Sequence, residues 1–147
     1  MEDYLQKGGF KMQKMNNYKN NFYLYNKFDD NNYVIYAKTN GIRHLLKYHF
    51  GIDNNICPNE LFILNYGNQA TVKIIDYVTK TNKLKQIPYI QKMYELQLKC
   101  IPNLKIDYAV MIDNIENIKD HNVFNVVKSF NIRILNSQQD LDLWLDE

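Results

Sequence analysis

The chain of 147 residues is short of the residues that bend, bridge or punctuate most folds: it has 5 Gly, 3 Pro, 3 Ala, 2 Cys, 2 Arg and 1 Trp. Each shortage excludes something. Cys57 and Cys100 stand in no Cys-x-x-Cys or Cys/His spacing, so a disulfide scaffold and a structural zinc site both lack their ligands. Two free thiols in a reducing compartment are expected instead. No run approaches the roughly 18 apolar residues of a membrane span, and the first residues carry Lys, Gln and Asn where a signal peptide needs an apolar stretch. The expected location is therefore the cytoplasm or another intracellular compartment. GxGxxG, P-loop, GxSxG and HExxH patterns are all missing, which removes the usual residues of nucleotide binding, serine hydrolysis and zincin chemistry. No metal site is expected from the histidines either. His44 and His49 are five apart, about 140° around a helix, and Cys57 lies beyond a loop.

What is abundant is equally skewed: 21 Asn, 16 Lys, 16 Ile and 12 Tyr. These residues are written by AT-rich codons and the scarce ones by GC-rich codons, so the skew describes a genome, such as that of an AT-rich bacterium, its phage, a large DNA virus or a protist. Hydrophobic residues at 46% and charged residues at 23% are ordinary for a globular chain of one-domain size. The formal charge is only +2, but it is unevenly placed. Residues 1–105 hold 15 Lys or Arg against 8 acids, and residues 106–147 hold 3 against 8. A basic first part and an acidic tail point to surfaces for a partner.

Patterning along the chain gives one α/β domain over residues 21–147, preceded by residues 1–20 as a poorly packed leader with a Gly8-Gly9 break. FYLYNKF and YVIYAKT around Asp29-Asp30-Asn31-Asn32 read as a hairpin. Ile42, Leu45, Leu46 and Phe50 have helical spacing, with Gly51 as the stop. ELFILNYG and ATVKIIDYVTKT around Gly67-Asn68 form a second hairpin, apolar on both faces and so expected inside a covered sheet. Pro88 suits the first turn of a helix running to Pro102, with Ile90, Tyr94, Leu98 and Ile101 as one apolar stripe and Tyr89, Met93, Leu96 and Cys100 as its neighbour. LKIDYAVMID alternates as a buried strand. Val123, Phe124, Val127 and Phe130 then give a helix, Asn131 a break and residues 132–135 a short strand; Ser137 and Asp140 match a capping box before a helix with Leu141, Trp144 and Leu145 as its apolar face. The order is ββα ββα βαβα: a mixed sheet with helices on both faces and right-handed parallel crossovers near the end.

This closing strand, helix, strand and helix, DYAVMID through FNIRILNSQQDLDLWL, resembles the end of the restriction-endonuclease-like, or PD-(D/E)xK, superfamily. The resemblance covers about a third of the chain and implies a metal-dependent nuclease fold. Such chemistry uses two carboxylates to hold Mg²⁺ and a lysine to position or activate water. Carried onto this chain, the set is Glu60, Asp76 and Lys80, with Val78 where the family has its lysine; Asp30 followed by Tyr36-Ala37-Lys38 is the other hairpin's version, with Tyr in place of Glu. Either way the motif is degenerate. The GIY-YIG nuclease pattern also lacks its Tyr-Ile-Gly triplet and its Arg-to-His spacing around Arg43 and His49.

Two further groups of residues suggest ligands. Asp113, with Asn114, Glu116 and Asp120 after it, stands at the carboxyl end of the tail strand, where open α/β sheets bind ligands; a solvated loop capped by Asp120 is the plainer expectation. Lysines interleaved with aromatic rings, Lys7 to Lys27 near Tyr18, Phe22, Tyr23 and Tyr25, and Lys73 to Lys92 around Tyr77 and Tyr89, are what single-strand binding requires. The candidates for nucleic-acid contact are Lys11, Lys14, Lys19, Lys83 and Lys85. Two functions follow. The first is a small non-catalytic binding or assembly protein without cofactor, acting on a protein or nucleic-acid partner; the second is a Mg²⁺-dependent nuclease or its inactive relative.

Overall fold

A computed structural model describes residues 13–14, 22–118 and 120–147. The expected leader, with Lys11 and Lys19, lies outside them except for Gln13–Lys14, a two-residue strand β1 that pairs with the next strand. The remaining strands are β2 (Phe22–Asp29), β3 (Asn32–Lys38), β4 (Glu60–Tyr66), β5 (Gln69–Tyr77), β6 (Leu104–Met111) and β7 (Arg133–Leu135). The helices are α1 (Thr39–Phe50), α2 (Thr81–Leu98), α3 (Asn122–Ser129) and α4 (Gln138–Leu145). The chain forms a single mixed α/β domain, its strands side by side in the order β1 to β7.

Strands β1 to β5 are antiparallel neighbours, and β5, β6 and β7 run parallel through α2 and α3. Helices α1, α2 and α3 pack on one face through Ile42, Leu45, Leu46, Leu84, Ile87, Leu98, Val123 and Val127. On the other face, Leu141 and Trp144 of α4 close over Ile75, Ala109, Met111 and Leu135. Strand β5 is buried on both faces from Val72 to Asp76, with Val72, Ile74 and Asp76 alternating against Lys73 and Ile75 as the pattern predicts, and Tyr77 is exposed at its end. No helix among the described residues is long and apolar enough to cross a membrane. Cys57 and Cys100 are both exposed thiols.

Local chemistry explains most boundaries. Gly51 ends α1 at φ +71° and its N–H reaches the Lys47 carbonyl at 2.9 Å, a left-handed stop that a side chain would strain. Asn131, at φ +62°, breaks the chain after α3 in the same way. Ser137 Oγ accepts from the Asp140 N–H at 3.0 Å, while the Asp140 carboxylate reaches back to the Asn136 N–H, also at 3.0 Å, so the capping box closes one residue early on its return side. Alternation puts Tyr25 with Tyr23 on the α4 face, opposite Phe22, and a bulge between Leu24 and Asn26 then shifts the register of β2 against β3.

Two expectations change. Helix α2 starts at Thr81, so Pro88 lies inside it and not at its first turn. Pro88 forfeits a hydrogen bond to the Leu84 carbonyl, at a cost of about 3 kcal/mol. Burying Leu84 and Ile87, both fully enclosed, supplies about 1.5–3 kcal/mol each and offsets it. The second apolar stripe of that helix also faces outward: Tyr89, Met93 and Leu96 are exposed, as is Phe130 after α3. A single line of residues, Leu84, Ile87, Tyr94 and Leu98, suffices to seat α2 on the sheet.

Candidate functional site

The carboxyl ends of β3, β5, β6 and β7 share one edge of the sheet with the start of β4, and polar residues gather there. On the α4 face, the register sets Lys38 opposite Glu60 and Glu60 opposite Ile75. Diagonal neighbours across antiparallel strands lie within reach of long side chains, and Tyr36 and Tyr77 occupy the two diagonals. Both tyrosine hydroxyls donate to the Glu60 carboxylate, Tyr36 to Oε1 and Tyr77 to Oε2. Tyr36 and Glu60 are buried, whereas Tyr77 is 42% exposed. Burial first, then the adjacent carboxylate, holds both phenols far above their ordinary value, so they remain neutral donors.

Asn59 fixes this corner. Its side-chain Oδ1 accepts from the Tyr77 N–H at 2.8 Å, its own N–H donates to Ile75 at 3.1 Å, and its carbonyl accepts from Thr39 at 3.1 Å. Above these groups is a cleft of about 450 Å³, walled by Lys38, Asn40, Met111, Gln138 and Leu141 as well. Open α/β sheets receive ligands at this place. What the cleft offers is one carboxylate that accepts hydrogen bonds, an exposed lysine and side-chain amides.

Asp76 belongs to a separate network on the three-helix face. Its Oδ2 accepts from Tyr94 of α2 at 2.8 Å and from Tyr108 of β6 at 2.6 Å, and the two rings meet edge to face at 5.6 Å. Burial, reinforced by Asp76, raises both phenols well above their ordinary value. A hollow of about 300 Å³ adjoins it, lined in part by Asn55, Cys57, Lys83 and Gln97.

The candidate set Glu60, Asp76 and Lys80 is therefore not brought together. Glu60 faces α4 and Asp76 faces α2, because Asp76 follows the residue paired with Glu60 and side chains alternate. Lys80 is exposed at the start of α2. Asp30 sits in the first hairpin turn, at the far end of β3 from Tyr36 and Lys38, where it pairs with Lys27 at 3.0 Å. Among the described residues no three of His, Cys, Asp and Glu are grouped to hold a metal ion. Nor does the Glu60 corner fit Mg²⁺: a hard cation seeks several anionic or carbonyl oxygens, and here one carboxylate is met by two hydroxyls that donate to it.

The lysine candidates also separate. Lys83 and Lys85 are exposed near the start of α2 but two residues apart, about 200° around the helix, so they serve different surfaces. Lys14 is in β1. Lys73 is not a surface cation at all: it is 1% exposed, donates to the carbonyls of Trp144 and Glu147, and lies 4.9 Å from the centre of the Trp144 ring. It caps the carboxyl end of α4, where a positive charge is favoured. Asp113, Asn114, Glu116 and Asp120 are exposed, and Asp120 Oδ1 accepts from the Asn122 N–H at 3.1 Å, as a capped loop would. His49 is half-buried beside Tyr33, its Nε2 3.1 Å from the tyrosine oxygen, and His44 is exposed.

Sequence patterning read Tyr94 and Tyr108 as core, placed Tyr36 and Lys38 in a degenerate motif with Asp30 and Tyr77 among rings for nucleic acid, and gave Asn59 and Gln138 no site role. The strand register was the missing signal, since pairing Lys38 with Glu60 puts both tyrosine diagonals on the carboxylate. Comparisons with protein-family models, curated proteins and solved structures give no match to this chain.

Proposed function

We propose that the protein is a small intracellular binding or assembly protein without catalytic activity, working through a protein partner. The observation that supports this is the separation of the two buried carboxylates, Glu60 and Asp76, on opposite faces of the sheet, each engaged by two tyrosines of its own fold. Metal-dependent phosphodiester hydrolysis needs carboxylates and a lysine aimed at one reacting centre. Here each carboxylate instead joins secondary-structure elements: Glu60 links β3, β4 and β5, and Asp76 links β5, β6 and α2. The nuclease reading is favoured by one feature, the Lys38 and Glu60 cross-strand pair at the edge of the cleft.

Incubation with plasmid, single-stranded DNA and RNA, each with Mg²⁺ or Mn²⁺, separates the two. The expected result is no cleavage above the protein-free blank. Metal-dependent cleavage that disappears in Glu60→Gln or Asp76→Asn, with Lys80→Ala and Lys38→Ala tested alongside, would replace the binding reading with the nuclease.

A further inference from the structure

Helix α2 is seated by one side and bare on the other, and the bare side has its own order. Tyr89, Met93 and Leu96 are 71%, 45% and 60% exposed, and the exposed Cys100 follows just past the helix end. Their spacing is four, three and four, the 3.5-residue repeat of a seam that lies along another helix. Lys85, Lys92 and Lys99 recur every seven residues immediately before this seam's Gln86, Met93 and Cys100, which is the flanking position that selects the partner's charge in paired helices. All three lysines are exposed. The helix's acid, Glu95, lies about 120° around from Tyr89, away from the seam.

We propose that the outward face of α2 docks an amphipathic helix of a protein partner, apolar along its seam and acidic along the flank that meets Lys85, Lys92 and Lys99. This rests on the reading that the protein works through a protein partner, and it names the partner's chemistry. A second copy of the chain does not satisfy the surface. Paired antiparallel, the lysine row meets a lysine row; paired parallel, it meets Lys83, Ile90 and Gln97, which supply no acid. A bilayer is a poorer match, because a helix lying on lipid needs an apolar arc of about 100° or more and this seam is narrow. Phosphate would answer the lysines and leave Met93 and Leu96 uncovered.

The test uses the full chain and two synthetic helical peptides that share a Leu seam, one flanked by Glu and the other by Lys, with binding followed by fluorescence anisotropy. The Glu-flanked peptide is expected to bind at least about tenfold more tightly than the Lys-flanked one, a preference of about 1.4 kcal/mol or more. Lys85→Glu with Lys92→Glu should reverse the preference, and Leu96→Asp should weaken both peptides at least about tenfold. These positions are exposed, and an unchanged thermal melt will show that the variants fold. Equal binding of the two peptides, binding of neither, or a preference that survives the charge reversal overturns the proposal. So does stronger capture by vesicles of phosphatidylcholine and phosphatidylserine, or a homodimer in sedimentation that Leu96→Asp dissolves. DNA cleavage, by contrast, would overturn the non-catalytic reading and leave the peptide result standing.

Discussion

Glu60 and Asp76 sit on adjoining strands at the same edge of the sheet, and each accepts from two tyrosines, yet they face different surroundings. Asp76 is buried beneath α2 at the floor of the hollow of about 300 Å³: it is 3% exposed, Tyr108 is 3% exposed and Tyr94 is half-buried. Its network crosses layers, tying helix α2 to the paired strands β5 and β6 beneath it. Glu60 joins three strands already held by their backbone ladders, and one of its tyrosines opens on the cleft. The same chemistry thus locks an element in place on one face and shapes a surface on the other.

Removing each carboxylate should expose that difference. Asp76→Ala leaves the Tyr108 and Tyr94 hydroxyls without their acceptor. At about 1–3 kcal/mol for each of the two unsatisfied groups, a loss of about 2–6 kcal/mol is expected in denaturant unfolding. Glu60→Gln keeps an acceptor of similar shape, and water can reach Tyr77, so about 1–2 kcal/mol is expected there. Hydrogen exchange should show α2 loosening in Asp76→Ala and remaining protected in Glu60→Gln. Equal losses for the two would erase the distinction between a lock and a surface.

Alkaline pH strains both networks together. Tyr36 and Tyr108 are buried, and burial followed by the adjacent carboxylate raises their phenols above the ordinary value of 10. In the unfolded chain they release protons near that pH, while the folded chain keeps them. The unfolded state therefore binds fewer protons, so the stability contributed is complete below about pH 10 and falls as pH rises beyond it. Each such tyrosine adds a slope of about 1.4 kcal/mol per pH unit. Denaturant midpoints between about pH 9 and about pH 11 should fall steeply, and Tyr36→Phe or Tyr108→Phe should each flatten the fall by one tyrosine's share. An unchanged slope in both variants would mean that other groups govern alkaline unfolding.

These networks mark how far the sequence could be read. The hairpins, α1 with its glycine stop and the alternating β6 all follow from local patterns, because one buried face leaves a period in the residues. The start of α2 did not, since Pro88 is a strong local signal and the burial of Leu84 and Ile87 that overrides it depends on the sheet beneath. The exposed stripe was legible as a stripe, but its direction was not: Tyr89, Met93 and Leu96 have the composition of a core. Lys73 looked like a surface cation because its acceptors come from α4, more than seventy residues later. Glu60 and Asp76 could be selected from sequence as candidates; their assignment to opposite faces required the register.

The smallest expected effect concerns α4, the one helix among the described residues that packs on the Glu60 face. It spans only eight residues, so the end that meets the cleft is held by its cap as well as by Leu141 and Trp144. Ser137→Ala removes the acceptor for the Asp140 N–H and should cost about 1 kcal/mol. Because α4 contributes Gln138 and Leu141 to the cleft wall, exchange should rise at the first turn of α4 while α2 and Tyr108 stay protected. Asp140→Asn tests the return half of the box: an amide oxygen can still accept from Asn136, but the negative charge at the helix start is lost, so a smaller loss of about 0.3–1 kcal/mol is expected. If Ser137→Ala instead loosens α2 as much as α4, the two faces unfold as one unit. The contrast between Glu60 and Asp76 would then lie in their side chains alone, with no difference in how firmly each face is held.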